Sequence, residues 1–264
     1  MSHPPDLSAI RLLEERAFNA WPARQTVFHQ GWVFRLAGGF TKRANSVNAL
    51  EAGAPFTGVR EAAEALYARH RLRPVFRISP LAGADAEPAL AAAGYTVFEP
   101  TWVMQAPLQA PVQPPVQSFF SSGRTPPQAC VDLAEAPGAE WLDGFAAANG
   151  VAAVNHAIHH AMVQSIALPC AFATLRQGEH AVGFGLAVRE RGAVGLFDIV
   201  VAPGHRGQGH GRALVQALMQ WGRDGGAETA YLQVREENAV ARGLYAALGF
   251  TDAYRYHYRV PAQS

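Results

Sequence analysis

The chain has 264 residues, of which 49% are hydrophobic and 16% are charged, so it is long enough to bury two cores of ordinary size. Its formal charge of +1 provides no basic surface for sequence-independent binding of nucleic acid, and no apolar run approaches the ~18 residues that a membrane span requires. Because the first residues show no basic segment followed by an apolar one, we expect no secretory signal and a cytoplasmic protein that binds neither nucleic acid nor membrane.

The N-terminal half has the pattern of an α/β unit. Helical spacing of apolar residues predicts a helix over residues 58–70, and Pro74–Ser79 is typical of a short strand. A polar segment, Thr41–Ser46, comes earlier. Together with Trp32 and Arg35 it either lines an acceptor site or forms an ordinary loop, and we favour the loop.

A proline-rich segment separates the two halves. Six of the eighteen prolines fall between Pro107 and Pro127, and proline both fixes φ and removes a backbone donor. We therefore predict a domain over residues 1–108, an extended linker over 109–127 and a second domain over 128–264.

The C-terminal half alternates strands and helices. Residues spaced i, i+4 and i+7 predict an amphipathic helix that ends at Gly225–Gly226. The predicted elements are strands over 171–176, 181–188, 193–201, 229–234 and 254–260, and helices over 212–223 and 238–249. The same order is visible in the N-terminal half, where Leu90–Tyr95 corresponds to Tyr245–Phe250, so the chain reads as two copies of one unit.

The segment Arg206–Gly211 follows a strand and precedes a helix. Its glycines let successive backbone N–H groups converge, and the positive end of the helix adds to an anion cradle suited to a pyrophosphate. A Walker loop would need Gly-Lys-Ser/Thr, and the dinucleotide motif G-x-G-x-x-G would need a glycine where Arg212 stands. The pattern that remains is R-x-x-G-x-G, formed by Arg206, Gly209 and Gly211.

With this loop the sequence resembles the GNAT superfamily of acyl-CoA-dependent N-acyltransferases. The resemblance covers roughly residues 131–260 and includes three further elements in the expected order: strand Leu196–Val201, the run Gln233–Asn238 and the segment Leu244–Phe250. It implies two tandem GNAT-like domains, each a mixed, twisted sheet flanked by helices. The N-terminal copy lacks the arginine and the glycine-rich loop between Leu50 and Gly58, so we expect it to have lost the cofactor site.

The resemblance also implies how the donor acetyl-CoA is held. The strand before the loop would splay from its neighbour, and its backbone would pair with pantetheine while one N–H stabilises the oxyanion. Asn238 would cap its helix and touch the pantetheine. The expected donor-binding residues are Ile199, Val200, Val201, Arg206, Gly207, Gln208, Gly209, His210, Gly211, Arg212 and Asn238.

Two residues are candidates for acid–base catalysis. Tyr245 matches the tyrosine that protonates the departing thiolate in the family, although a core aromatic is the alternative. Asp198 is the single carboxylate inside an apolar strand and would help to deprotonate the amine; a structural role is equally compatible with this position.

Three histidines, His156, His159 and His160, fall in the expected acceptor-binding region. They could orient substrate or relay a proton, but we favour a solvated helix face. No carboxylate or cysteine lies at ligand spacing from them, and Cys130 and Cys170 lack metal spacing, so we expect no metal.

The sequence as a whole predicts an N-acetyltransferase that moves acetyl from acetyl-CoA to a primary amine in a ternary complex, as a monomer or homodimer. The acceptor would be a small molecule or a peptide. Two alternatives remain open: a non-catalytic acyl-CoA sensor, and an acyltransferase that uses a longer acyl donor.

Overall fold

The computed structural model describes residues 6–108 and 129–262. The predicted linker, residues 109–127, lies outside them, and the domain limits therefore remain a prediction. None of the helices in these two ranges is long and apolar enough to cross a membrane. The first range contains α1 (Leu7–Ala20), β1 (Gln25–His29), β2 (Trp32–Leu36), β3 (Val47–Ala49), α2 (Val59–Arg69), β4 (Phe76–Ile78), α3 (Ala86–Ala92) and β5 (Tyr95–Pro107). The second contains β6 (Ala129–Ala134), α4 (Ala139–Asn149), α5 (Ala153–Gln164), β7 (Cys170–Gln177), β8 (His180–Glu190), β9 (Ala193–Val201), α6 (His210–Asp224), β10 (Thr229–Arg235), α7 (Ala239–Ala246) and β11 (Thr251–Pro261).

The repeat expected from the sequence is visible in the order of these elements. In both halves a helical segment precedes three strands, a helix, a strand, a second helix and a last strand, and the second half adds β6 at its start. The pairings agree as well. β1–β2, β2–β3, β7–β8 and β8–β9 are antiparallel, and β3–β4 and β9–β10 are parallel.

The last strand of each half lies in the sheet of the other half. β5 pairs with β10, and β11 pairs with β4. Because β5 and β11 also pair with each other, the mixed sheets of the two halves join into one sheet of eleven strands within the described residues, in the order β1-β2-β3-β4-β11-β5-β10-β9-β8-β7-β6. Neither half, taken alone, contains the last strand of its own sheet.

A buried ion pair holds the exchanged strand β11 in place. Glu14 of α1 is fully buried and contacts both the Arg77 guanidinium on β4 and the Tyr254 hydroxyl on β11. The Arg77 guanidinium also lies 3.7 Å from the centre of the Tyr256 ring. Burial lowers the pKa of Arg77, but the Glu14 carboxylate outweighs this and holds that pKa above its usual range. Removing one partner of such a pair leaves a buried charge, at a cost of about 3–5 kcal/mol.

Helices cover both faces of β7–β9. A Cβ atom on Gly183 would meet Leu214 of α6, whereas the next residue, Phe184, packs against Trp141 of α4. Successive strand residues point to opposite faces, so α6 lies on one face and α4 on the other. A ligand that passes between two strands here would reach both layers.

The exchange predicts the behaviour of separated halves. A fragment of residues 117–264 lacks β5 and exposes the edges of β10 and β11, so it should aggregate when produced alone. Co-production with residues 1–116 should give a soluble 1:1 complex in size-exclusion chromatography, because each fragment supplies the strand that the other lacks. A folded, monomeric 117–264 fragment would contradict the exchange.

Candidate active site

A cleft opens where two parallel strands separate. The β9–β10 ladder ends at the pair Leu196–Leu232. Beyond it, β9 stays with β8 as far as Val201, and β10 stays with β5 as far as Arg235. The strands have diverged, and the predicted splay is present, with a cleft between their last residues.

A β-bulge in β9 accompanies the separation. Phe197 pairs with Leu186 and Val200 with Phe184, so two residues, Asp198 and Ile199, oppose a single residue of β8. Asp198 has a φ of 49°, a left-handed conformation that aspartate tolerates better than most side chains. A bulge leaves one residue without a ladder partner, which frees backbone groups at the cleft.

The backbone groups of the two valines after the bulge, Val200 and Val201, face opposite sides of β9. The Ala202 N–H donates to the Val182 carbonyl at 2.9 Å. Backbone groups of alternate residues face the same neighbour in an antiparallel ladder, so those of Val200 face β8 and those of Val201 face the open side. The Val201 carbonyl accepts a 2.9 Å hydrogen bond from Nε of Arg206.

The glycine turn leads directly into α6. Gly207 and Gly209 have φ values of 74° and 83°, which favour glycine, and Gly209 caps the helix without a side-chain hydrogen bond. The first-turn N–H groups thus have no side-chain cap, and no atom lies within 4 Å of a Cβ built on either glycine. Arg206 and Arg212 are exposed beside the turn. This arrangement suits a pyrophosphate.

The first residue of α6 adds no positive charge to the turn. His210 is buried, with an Nε2 atom that has no partner among the described residues. Its burial, together with nearby His205, lowers its pKa, so the ring is neutral at pH 7. Positive charge at the turn comes from the arginines and from the helix.

In the corresponding turn of the N-terminal half, one backbone donor is bound to a side chain. Gly58 caps α2 with a φ of 77°, as Gly209 caps α6. Here, however, the Phe56 N–H donates to the Asp85 carboxylate at 3.0 Å. This N–H is therefore paired with an internal carboxylate and is not free to bind a phosphate. The single cofactor site per chain stays a prediction.

On the α4–α5 face, Asp198 is bound to a histidine. Nε2 of His159 lies 2.9 Å from Oδ2 of Asp198, and His159 is fully buried. The expected solvated helix face is therefore wrong for His159, whose ring is enclosed by aromatic side chains. These are Trp21, Phe40, Trp141 and Phe145.

The surroundings fix the direction of this hydrogen bond. Nδ1 of His159 has no partner among the described residues. A proton on Nδ1 would be a buried donor without an acceptor, which folded proteins rarely contain, so the proton lies on Nε2 and His159 donates to Asp198. The histidine thus orients the carboxylate toward the cleft.

On the α6–α7 face, Asn238 and Tyr245 lie on one helix. Asn238 caps α7 by accepting from the Ala241 N–H at 3.1 Å, as expected. Tyr245 is 8% exposed, and burial raises its pKa to about 12. Its hydroxyl has no hydrogen-bond partner in residues 6–108 and 129–262, and Tyr245 lines the cleft.

Both faces and both halves contribute to the lining of the cleft. Arg43, in the loop after β2, reaches it from the N-terminal half, whereas Trp32 and Arg35 are buried in the core and do not. Arg35 instead donates to the carbonyls of Phe18, Trp21 and Arg43. The cleft is lined by Arg43, Phe145, Asn149, Leu196, Phe197, Asp198, Ile199, Leu232, Gln233, Val234, Arg235, Asn238, Ala241 and Tyr245.

A family model described as "Probable histone acetyltransferase Rv0428c C-terminal" matches residues 7–259. The chain is also 30% identical over 252 residues to the uncharacterized N-acetyltransferase YobR of Bacillus subtilis, covering 95% of this chain and 98% of that protein. The chain belongs to the GNAT N-acetyltransferases. A shorter match, 45% identical over 58 residues, covers 22% of this chain and 39% of the ribosomal protein bS18-alanine N-acetyltransferase of Escherichia coli.

Solved structures agree with the fold. A GCN5-related N-acetyltransferase from Kribbella flavida aligns with a TM-score of 0.70 at 16% identity, over 99% of this chain and 98% of that chain. A tandem GNAT protein from the clavulanic acid biosynthesis pathway aligns with a TM-score of 0.56 at 14% identity, over 83% and 76% of the two chains. The predicted α/β fold of two GNAT-like halves is confirmed, and this GNAT protein is an acyltransferase.

No metal-binding group is apparent in the part of the chain that the structure describes. There, no set of three or more His, Cys, Asp or Glu side chains is arranged to hold a metal ion. Cys130 is exposed and Cys170 is partly buried, and both are free thiols.

The hydrogen bond from His159 predicts a kinetic effect. His159→Phe keeps an aromatic ring in its enclosure but removes the donor, so kcat/KM for acetyl transfer should fall by about 10- to 100-fold, as for other residues that orient a functional group. The KM for acetyl-CoA should change little, because His159 lies on the opposite face from the glycine turn.

His156→Phe is the matched control on the same helix. His156 contacts the Val151 carbonyl rather than Asp198, so this variant should keep the wild-type rate. An unchanged kcat/KM in His159→Phe would assign that histidine to packing alone.

Proposed function

We propose that this GNAT protein transfers acetyl from acetyl-CoA to a primary amine by direct attack in a ternary complex. The observation that carries the proposal is the cleft between β9 and β10, with Asp198 on one face of the sheet and Tyr245 on the other. A donor and an acceptor that enter from opposite faces would meet between these two residues.

The donor would occupy the α6–α7 face. The amides from Gly207 to Gly211 would hold its pyrophosphate, while Arg206 and Arg212 supply full charges. The uncapped start of α6 fits this role, since the donors there have no side-chain partner. Pantetheine would follow the open side of β9, where Val201 presents its N–H and Ile199 belongs to the bulge. The Val201 carbonyl on this side is bound to Arg206.

The acceptor would enter on the α4–α5 face. Asp198, held by His159, would accept a hydrogen bond from the ammonium and take its proton, since an alkylamine with a pKa near ~10.4 is protonated at neutral pH. The freed amine attacks the thioester carbon, and a backbone N–H at the bulge would stabilise the oxyanion. As the C–S bond breaks, the thiolate receives a proton from Tyr245. The nitrogen gives up its extra proton, which returns through solvent to the tyrosinate, and the products are a neutral amide and free CoA.

The burial of Tyr245 sets the energetics of the last step. With a pKa of about 12, the hydroxyl is protonated throughout the neutral range and available as an acid. A free thiol has a pKa near ~8.5, but a thiolate expelled into the same buried cleft is also poorly solvated, and its proton affinity rises with it. The difference in pKa between Tyr245 and the departing thiol is therefore smaller than the pKa of a free thiol suggests.

Tyr245→Phe tests the proposal, since it keeps the ring packed against Phe250 and removes only the proton. General acid catalysis is worth about 10²–10⁴-fold, so kcat should fall within that range in an assay of thiol release with a panel of amines. The affinity for acetyl-CoA should change little.

The pH dependence of kcat gives a second test of the role of Tyr245. Because the folded pKa of Tyr245 lies at about 12, the acid form persists as pH rises, and kcat of the wild type should show no loss from this group up to pH ~10. A fully active Tyr245→Phe variant would remove the tyrosine from the mechanism. Tight acetyl-CoA binding without turnover of any amine would instead indicate a sensor.

A further inference from the structure

Most charges around the acceptor side of the cleft neutralise one another. Arg235 lies 3.1 Å from Glu237 and 3.7 Å from Glu99, and Lys42 lies 3.2 Å from Glu99. Lys42 also stands over the Phe98 ring at 4.4 Å. These groups have partners already and offer little net charge to a substrate.

Arg43 differs from its neighbours. Its guanidinium makes no ion pair or hydrogen bond with any residue that the structure describes, although Arg43 lines the cleft. Two aromatic rings hold it, with the guanidinium carbon 4.8 Å from the centre of Trp21 and 5.8 Å from that of Phe197. The Arg43 carbonyl accepts a 2.6 Å hydrogen bond from Nη1 of Arg35, which anchors the loop to the core. Arg43 is thus a positioned cation whose donors remain free.

Asp198 lines the same cleft, next in sequence to the Phe197 ring that Arg43 contacts. Its Oδ2 atom accepts a hydrogen bond from His159. With its proton on Nε2 alone the His159 ring is uncharged, so it does not neutralise the carboxylate. Among the described residues, its Oδ1 atom makes no hydrogen bond and is not sealed from solvent. The cleft therefore presents an unpaired guanidinium and an available carboxylate oxygen together.

We propose that the acceptor is a zwitterion, a small primary amine with a carboxylate close to the amine, of the α-amino acid class. Asp198 binds its ammonium group, and Arg43 binds its carboxylate through the paired donors that suit a planar oxyanion. An acceptor with further cationic groups, such as a polyamine or a lysine-rich peptide, meets repulsion from Arg43. This inference rests on the proposed function, because it assigns the acceptor of that same reaction.

Matched pairs of acceptors test the inference directly. Phenylalanine and phenethylamine differ by the carboxylate alone, as do lysine and cadaverine. A hydrogen bond to a charged group contributes about 1.5–3 kcal/mol, which corresponds to a preference of about 10- to 150-fold in kcat/KM for the member that carries the carboxylate. Phenylalanine amide, which keeps the α-amine but has no carboxylate, should behave like phenethylamine.

Two variants assign the preference to Arg43. Arg43→Met should raise KM for phenylalanine and bring the two members of the pair to equal kcat/KM, whereas Arg43→Lys should keep part of the preference through its charge. Lys42→Met is the matched control, since Lys42 is adjacent but already paired with Glu99, and it should keep the wild-type preference.

The outcomes separate this inference from the proposed function. Equal or faster acetylation of phenethylamine and cadaverine by the wild type would overturn the zwitterion assignment and leave amine acetylation standing. So would a preference for the carboxylate that persists in Arg43→Met. Failure to acetylate either member of any pair, while other amines of the panel are acetylated, would overturn the assignment alone. Failure with every amine of the panel would overturn the proposed function, and the assignment with it.

Discussion

The end of the β9–β10 ladder at Leu196 and Leu232 is the constraint on which the rest of the site depends. If β9 and β10 stayed paired over their full length, the sheet would be continuous here and no cleft would lie between the helices on its two faces. Because β9 turns away at the bulge at Asp198, a cleft opens between the last residues of β9 and β10. The same bulge places a carboxylate on the α4–α5 face, while the strand ends where the glycine turn can begin α6.

The N-terminal half contributes to the cleft of the C-terminal half. Its loop after β2 supplies Arg43 to the cleft, while in its own turn before α2 the Phe56 N–H is bound to Asp85. Its last strand, β5, lies against β10 and so supports one wall of the splay. Strand exchange explains why a chain with one expected cofactor site keeps two halves: neither sheet is complete alone.

Local signals in the sequence are sufficient to predict much of the fold, including the glycine turn and the helix cap beside the cleft. Turns, helix caps and amphipathic spacing depend on residues that are neighbours in sequence. The glycine turn at Gly207 and Gly209, helix α6 and helix α7 with its cap Asn238 are therefore predicted to within a few residues. The helix α6 begins at His210 rather than at Arg212, because glycine lowers helix propensity without preventing a first turn.

Features that join distant segments were not predictable from patterns. The contact of His159 with Asp198 spans 39 residues, and a histidine in a polar cluster of three on one helix resembles a solvated one. Strand exchange leaves no mark in periodicity, since β5 and β11 look alike and each could pair with either half. Trp32 and Arg35 are candidates for an acceptor site on sequence grounds, yet every residue of β2 is buried. The sequence of β2 alone does not show that both faces of this strand are covered.

A crystal structure with CoA and an unreactive acceptor analogue, such as a carboxylate-bearing alcohol, would test the central claim most directly. The account predicts one CoA per chain, with its pyrophosphate on the amides of Gly207–Gly211, its thiol between Val201 and Tyr245, and the acceptor on the opposite face near Asp198. A CoA molecule at the start of α2, or donor and acceptor on the same face of the sheet, would contradict it.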